Sequence, residues 1–169
     1  MMLKDVKETA AWERNKGQFS LIEVPAIIIS IETFVILQKN AEKIIGVDGA
    51  SILLYEVGKK AAMQWINSFN NGWSLKDNKF IEAVQNFYAE RGWGKFSAEE
   101  ENQNGLVMRV ENSFIFRGYG NSDVPVCHFL RGFNAGLAQM LKGNEMGAEE
   151  VKCAAKGDDC CEFVMKRMN

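Results

Sequence analysis

The chain has 169 residues, a formal net charge of −2 and 47% hydrophobic residues, which fits one domain with a core large enough to need no disulfides. That charge, with no dense cluster of Lys and Arg, argues against a nucleic-acid binder that works by neutralising phosphates. The longest apolar run, Val24–Ile31, is far short of the roughly 20 residues that a membrane span needs.

Residues 3–16 predict a weakly amphipathic helix. They lack the apolar stretch of a secretory signal, so the cytoplasm is the expected compartment. Phe19–Ser30, rich in Ile and Val, predicts a strand or strand pair, with Pro25 at an edge or bend. Ser30 is placed to cap a helix over 31–45, and Gly46 and Gly49 break it. A second helix is expected over 50–70 and a third over about 76–91, ending at Arg91-Gly92. Trp93–Glu101 and Gly105–Arg117 then predict strands joined by the turn Asn102-Gln-Asn-Gly105. Pro125 stands near the start of a fourth helix that ends at Lys142-Gly143. Met146–Ala155 and Cys161–Met168 predict a hairpin around Lys156-Gly-Asp-Asp159. The fold class is α+β: a helical first half packed against an antiparallel sheet interrupted by one helix, in a single domain over 1–169.

All four cysteines, Cys127, Cys153, Cys160 and Cys161, fall in the last third. In a reducing compartment such clusters hold metal more often than they form disulfides. The predicted hairpin brings Cys153 and Cys161 to matching heights. Cys127, in the first turn of the fourth helix, has its thiolate favoured by the helix dipole. Glu150 is three residues before Cys153, so a bulge or strand end is needed to aim both at one ion. Three thiolates and one carboxylate would make a closed, structural zinc site. Buried, reduced thiols are the other reading of the same spacing. Cys160 and Cys161 alternate faces, so only one of them can join the cage. His128, the single histidine, lies about 100° round the helix from Cys127 and is read as a surface or capping group.

Trp65, Trp73 and Trp93 belong to an aromatic cluster between 65 and 96, which core packing explains and an apolar ligand pocket would also explain. Glu99-Glu-Glu101 reads as a solvated charge run. Gly118-Tyr-Gly120 lacks the remainder of a dinucleotide loop, and one histidine leaves no catalytic triad. No catalytic residue is assigned, and an enzymatic role is disfavoured. Ile27-Ile-Ile29 beside Phe34, Val35 and Ile36 is more apolar surface than a small domain buries alone, so a homodimer is expected.

Four stretches carry a resemblance. They are Cys127-(x)4-Gly132-Phe-(x)2-Gly136-Leu; Glu150-x-x-Cys153-x-x-x-Gly157-Asp158-x-x-Cys161-x-Phe163; and, less specific, Gly49-Ala-(x)3-Leu54-Tyr-Glu-x-Gly58 with Gly92-Trp-Gly94. Over roughly 20–167 the chain resembles the 4-vinyl-reductase domain family. That resemblance implies kinship with sensor domains of phenol- and toluene-responsive activators, and a fold like that of TRAPP subunits and haem-based nitric-oxide sensors. It implies a structural zinc on Cys127, Glu150, Cys153 and Cys161 beside a pocket for a hydrophobic or aromatic small molecule. The family name implies, as an alternative, a reductase or accessory protein of tetrapyrrole metabolism; the TRAPP likeness implies an assembly or tethering protein. The chain has no ATPase region, Walker motif or helix-turn-helix. The His and Trp that hold phenol in those sensors have no counterpart placed by motif.

Overall fold

The computed structural model describes residues 10–21, 24–69, 78–102 and 105–168. Strands β1 (Ala10–Glu13), β2 (Gln18–Leu21) and β3 (Val24–Ala26) form a small antiparallel sheet. The helix expected over 3–16 is therefore overturned from residue 10 onward; residues before 10 lie outside the described ones. The reason is local. Ala10 and Trp12 alternate with Ala11 and Glu13, and Gly17, at φ 63°, reverses the chain after a short 3-10 turn over Arg14–Lys16. The strand pair expected over 19–30 forms, but it ends at Ala26.

Helix α1 (Ile31–Phe69) opens as its sequence dictates. Ser30 Oγ accepts the Thr33 N–H at 3.0 Å, the bond an N-cap makes. The break expected at Gly46 is present, with φ 77° and ψ 162° inside the element. Gly49 does not break the helix. Helix α2 (Asn78–Glu90) matches the third expected helix. No helix among the described residues is long and apolar enough to cross a membrane.

The main sheet runs β4 (Lys95–Asn102), β5 (Gly105–Glu111), β7 (Cys161–Arg167), β6 (Met146–Lys152), all antiparallel. Its inner face alternates through Leu106, Met108 and Val110 on β5 and Cys161, Phe163 and Met165 on β7, all buried. Its outer face carries Arg109, bonded to Glu162 at 2.7 Å, and Lys152 at 3.6 Å from the same carboxylate.

The strand expected over Gly105–Arg117 stops at Glu111. Asn112 adopts φ 54°, and Phe114–Tyr119 coils into helix α3. A run such as Phe114-Ile-Phe116 is apolar whether strand or helix, so periodicity does not separate the two.

Helix α4 (His128–Lys142) lies against α1 on one side and β6 and β7 on the other. The approach to α1 is backbone to backbone. A Cβ at Gly132 would overlap the Tyr55 carbonyl, and one at Gly58 would overlap the Phe129 carbonyl. This clamp fixes the start of α4, where Cys127 stands.

Candidate metal centre

Four segments converge below the first turn of α4. Cys127 occupies the N-cap position, at φ −84° and ψ 42°, not the first turn as expected; its carbonyl accepts the Arg131 N–H at 2.8 Å. Its own N–H donates to Glu150 Oε2 at 3.0 Å. Cys153 and Cys161 flank the hairpin turn. That turn is fixed by the Cys153 N–H on Asp158 Oδ2 at 2.8 Å, the Lys156 N–H on the Cys153 carbonyl at 2.9 Å, and Gly157 at φ 99°. The Ala154 N–H points at Cys161 Sγ, 3.5 Å away. Of the two arrangements that the spacing allowed, a bulge or a strand end, the bulge is present. Glu150 pairs with Phe163 and Lys152 with Glu162, so Val151 is the extra residue.

One donor atom from each of Cys127, Glu150, Cys153 and Cys161 lies within 4.8 Å of every other, and all four residues are buried. Cys127 Sγ and Cys161 Sγ are 3.5 Å apart, close to the about 3.8 Å between two thiolates on one tetrahedral zinc. Glu150 Oε1 is buried and finds no hydrogen-bond partner among the described residues. His128 and Cys160 are buried but lie outside the cluster.

The electrostatics fit a cation. Cys153 is driven far down, as the thiolate that accepts from Cys127 and Cys161. Cys127 is pushed well up by those same bonds to Cys153 and Cys161, and by burial. For Cys161 the bond from Cys127 lowers the value, but the bond to Cys153 and burial outweigh it and push it up to about 12. Burial first, then the Cys153 charge, raises Glu150 to about 9. A dication among them would favour the ionised form of all four groups. The donor set fits a metal ion, and among the described residues no fifth protein ligand joins it. Such a site can staple the hairpin to α4.

Of the three tryptophans singled out for a pocket, Trp73 lies outside the described residues. Trp65 packs on Phe87, with ring centroids 5.8 Å apart. Trp93 sits among Tyr88 at 4.7 Å, Phe133 at 5.2 Å, Phe114 at 5.4 Å and Phe129 at 5.7 Å. Trp65, Phe87, Tyr88 and Trp93 thus form one continuous aromatic path. The sequence reading missed Phe114, Phe129 and Phe133; the spacing of four between Phe129 and Phe133 on α4 was the available signal. The Tyr88 hydroxyl is buried here with no hydrogen-bond partner among the described residues, and burial raises its pKa. An open polar cleft of about 370 Å³ lies elsewhere, beside the hairpin turn at Ser122, Asp123, Lys156 and Gly157.

The 4-vinyl-reductase domain model matches residues 106–167. An uncharacterised protein of Methanocaldococcus jannaschii is 24% identical over 118 residues, 70% of this chain and 65% of that relative; the chain thus spans just under two thirds of its length. Two solved structures share the fold. The phenol-responsive sensory domain of the transcription activator PoxR, crystallised with phenol, has a TM-score of 0.79 at 18% identity, covering 96% of this chain and 86% of that one. A vinyl-4-reductase family protein from Methanocaldococcus jannaschii has a TM-score of 0.61 at 19% identity, covering 85% of each. At these identities the likeness is one of fold. The segment that carries all four clustered donors, residues 106–167, is the one that the 4-vinyl-reductase domain model matches.

Proposed function

We propose that this chain is a zinc-stapled module that binds a small hydrophobic or aromatic molecule and passes its bound state to another protein. The observation that carries this reading is the placement of the donor cluster. It sits at the N-terminus of the same helix whose Phe129 and Phe133 close the aromatic cluster around Trp93. The ion, held by Cys127, Glu150, Cys153 and Cys161, would supply structural cross-linking. The chain's own residues supply the wall of the ligand site, with Trp65 and Trp93 on it and Trp73 assigned to it from sequence. The PoxR domain, which responds to phenol, supports this reading through its shared fold. The module works as a homodimer, consistent with the exposed apolar side chains along α1.

Metal loading gives the first test. Burial and mutual contact favour the protonated forms of Cys127, Cys161 and Glu150 and the ionised form of Cys153. Binding one zinc should therefore release protons, read by calorimetry in buffers of different ionisation enthalpy. The sign follows for stability. The ion holds these groups ionised, so its stabilisation is full at neutral pH and is lost as protons compete on acidification. A protein that takes up zinc without releasing protons would contradict the donor set.

Ligand binding gives the second test. Phenol, indole and 1-naphthol should quench tryptophan fluorescence. At a hundred times Kd they should stabilise the fold by about 2.7 kcal/mol through mass action. A hydroxylated ligand gives the Tyr88 hydroxyl its missing partner. Tyr88→Phe should then weaken phenol binding while leaving the ligand-free protein as stable or about 1 kcal/mol more stable, since it removes an unsatisfied polar group. Absence of any thermal shift with all three probes at millimolar concentration would refute the binding role.

A further inference from the structure

Helix α1 reaches the donor cluster through one buried side chain. Gln38 is fully buried, and its amide nitrogen donates both of its hydrogens. One goes to Glu42 Oε1 at 2.9 Å, a turn further along the helix; the other goes to the Val126 carbonyl at 2.9 Å. Turning the amide over would set its oxygen against two acceptors, so the chemistry fixes which atom faces them. The amide oxygen is buried and finds no hydrogen-bond partner among the described residues. An apolar side chain of the same size would fill the space without burying an unsatisfied oxygen. What distinguishes a glutamine here is its pair of donors.

The carbonyl that Gln38 holds belongs to the peptide that enters the cluster. The Val126 carbonyl and the Cys127 N–H are the two ends of one rigid plane. The N–H end donates to Glu150 Oε2 at 3.0 Å, while Glu150 Oε1 is left without a partner among the described residues. The plane thus runs from α1 to one candidate ligand and carries the Cα of another, Cys127. A bond to the carbonyl also polarises the N–H at the other end, which strengthens its hold on the carboxylate. The outer end of this brace is anchored as well. Glu42 Oε2 accepts the Tyr119 hydroxyl at 2.8 Å, and Lys39 Nζ donates to the Tyr119 carbonyl at 3.0 Å. A Cβ at Gly118 would press on Ile31 and Val35 of α1, so α3 already lies at close range. The segment between α3 and α4 is therefore tied to α1 at its two ends, through Tyr119 and Val126.

We infer that Gln38 is a positioning residue of the proposed zinc site: by gripping the 126–127 peptide it orients Glu150 and sets the place of Cys127. This inference rests on the zinc reading above and adds to it a residue outside the donor set. Losing a hydrogen bond that orients a metal ligand usually weakens metal binding by about 10- to 100-fold.

The test compares the full chain with Gln38→Met, a side chain of similar length and no donors, and with Ile66→Ala, a core truncation near the other end of α1. Zinc affinity is read by competition with a chromophoric chelator, and the Cys127 amide by ¹H–¹⁵N NMR. Gln38→Met should weaken zinc binding by about 10-fold or more and move the Cys127 amide proton upfield, as its bond to Glu150 loosens. Its cobalt-substituted form should show shifted d–d bands. Ile66→Ala should lose stability yet keep the amide signal, the cobalt spectrum and, within about twofold, the zinc affinity, because separated sites act independently. If Gln38→Met does not fold, Tyr119→Phe takes its place. It releases Glu42 by losing one hydroxyl and should move the Cys127 amide the same way by a smaller amount; an unmoved amide there overturns the inference. If the wild type takes up no zinc, the metal reading fails and this inference falls with it. If the wild type binds zinc and Gln38→Met binds it as tightly with the amide unmoved, or both variants weaken zinc equally, the positioning role alone is overturned.

Discussion

Cys153→Ser is expected to lose the metal ion and most of the fold's stability together. Cys153 is the thiolate around which the other donors arrange, fully buried and accepting hydrogen bonds from Cys127 and Cys161. A structural zinc contributes binding free energy directly to folding, and apparent values on the order of 10 kcal/mol are typical of small zinc domains. A domain of this size has a net stability of about 5–15 kcal/mol, so even half of that contribution decides whether the chain is folded. Metal analysis should fall from about one zinc per chain to near zero, and the thermal transition should broaden or vanish. Cys160→Ser, next in sequence and outside the cluster, should keep its zinc and its transition. Full zinc retention in Cys153→Ser/Cys161→Ser would sink the site.

Gly132→Ala should be the most damaging single change away from the metal. The added methyl would meet the Tyr55 carbonyl and Cα of α1, backbone that a rotamer change does not move. Overpacking in a core usually costs about 1–3 kcal/mol. Here the helices must separate, so the upper end of that range or beyond is expected. Gly58→Ala meets the Phe129 carbonyl from the other helix and should act likewise. Because the two share one contact, their double variant should cost less than the two single losses added. Urea unfolding at fixed zinc measures all three; a Gly132→Ala protein within about 0.5 kcal/mol of wild type, the range of an ordinary surface change, would show that the helices do not touch there.

The donor cluster was legible because its signal is chemical. Thiols at Cys127, Cys153 and Cys161 and a carboxylate at Glu150 mark themselves whatever the backbone does, and the odd spacing of Glu150 and Cys153 called for a bulge or a strand end, of which the fold uses the bulge. Helices with strong punctuation were legible too: Ser30 caps α1, Gly46 interrupts it and Gly143, at φ 71°, ends α4. The failures have a common cause. Residues 10–13 have acceptable helix propensity, and only pairing with β2 makes them a strand; that partner is supplied by tertiary structure. At 112–117 a single left-handed Asn112 turns an apolar run from strand to helix. The aromatic cluster was half visible. Its members on α2 lie close in sequence, whereas Phe114, Phe129 and Phe133 join it from across the fold.

The bulge at Val151 has a consequence for counting. Met146 must enter the core and Cys153 must reach the cluster, and both are buried on the same side of the sheet. They are seven residues apart, an odd number, and a straight strand puts odd-spaced side chains on opposite faces. The extra residue restores parity. Its side chain is half exposed, so no core contact fixes the identity at 151. Deleting Val151 together with the bulge leaves Glu150 two residues before Cys153, still on one face, so the four donors survive. Deleting any one residue between Met146 and Glu150 turns Met146 out into solvent while the ligands stay intact. In β6 the same loss of one residue is neutral to the site at 151 and ruinous to the core anywhere from 147 to 149.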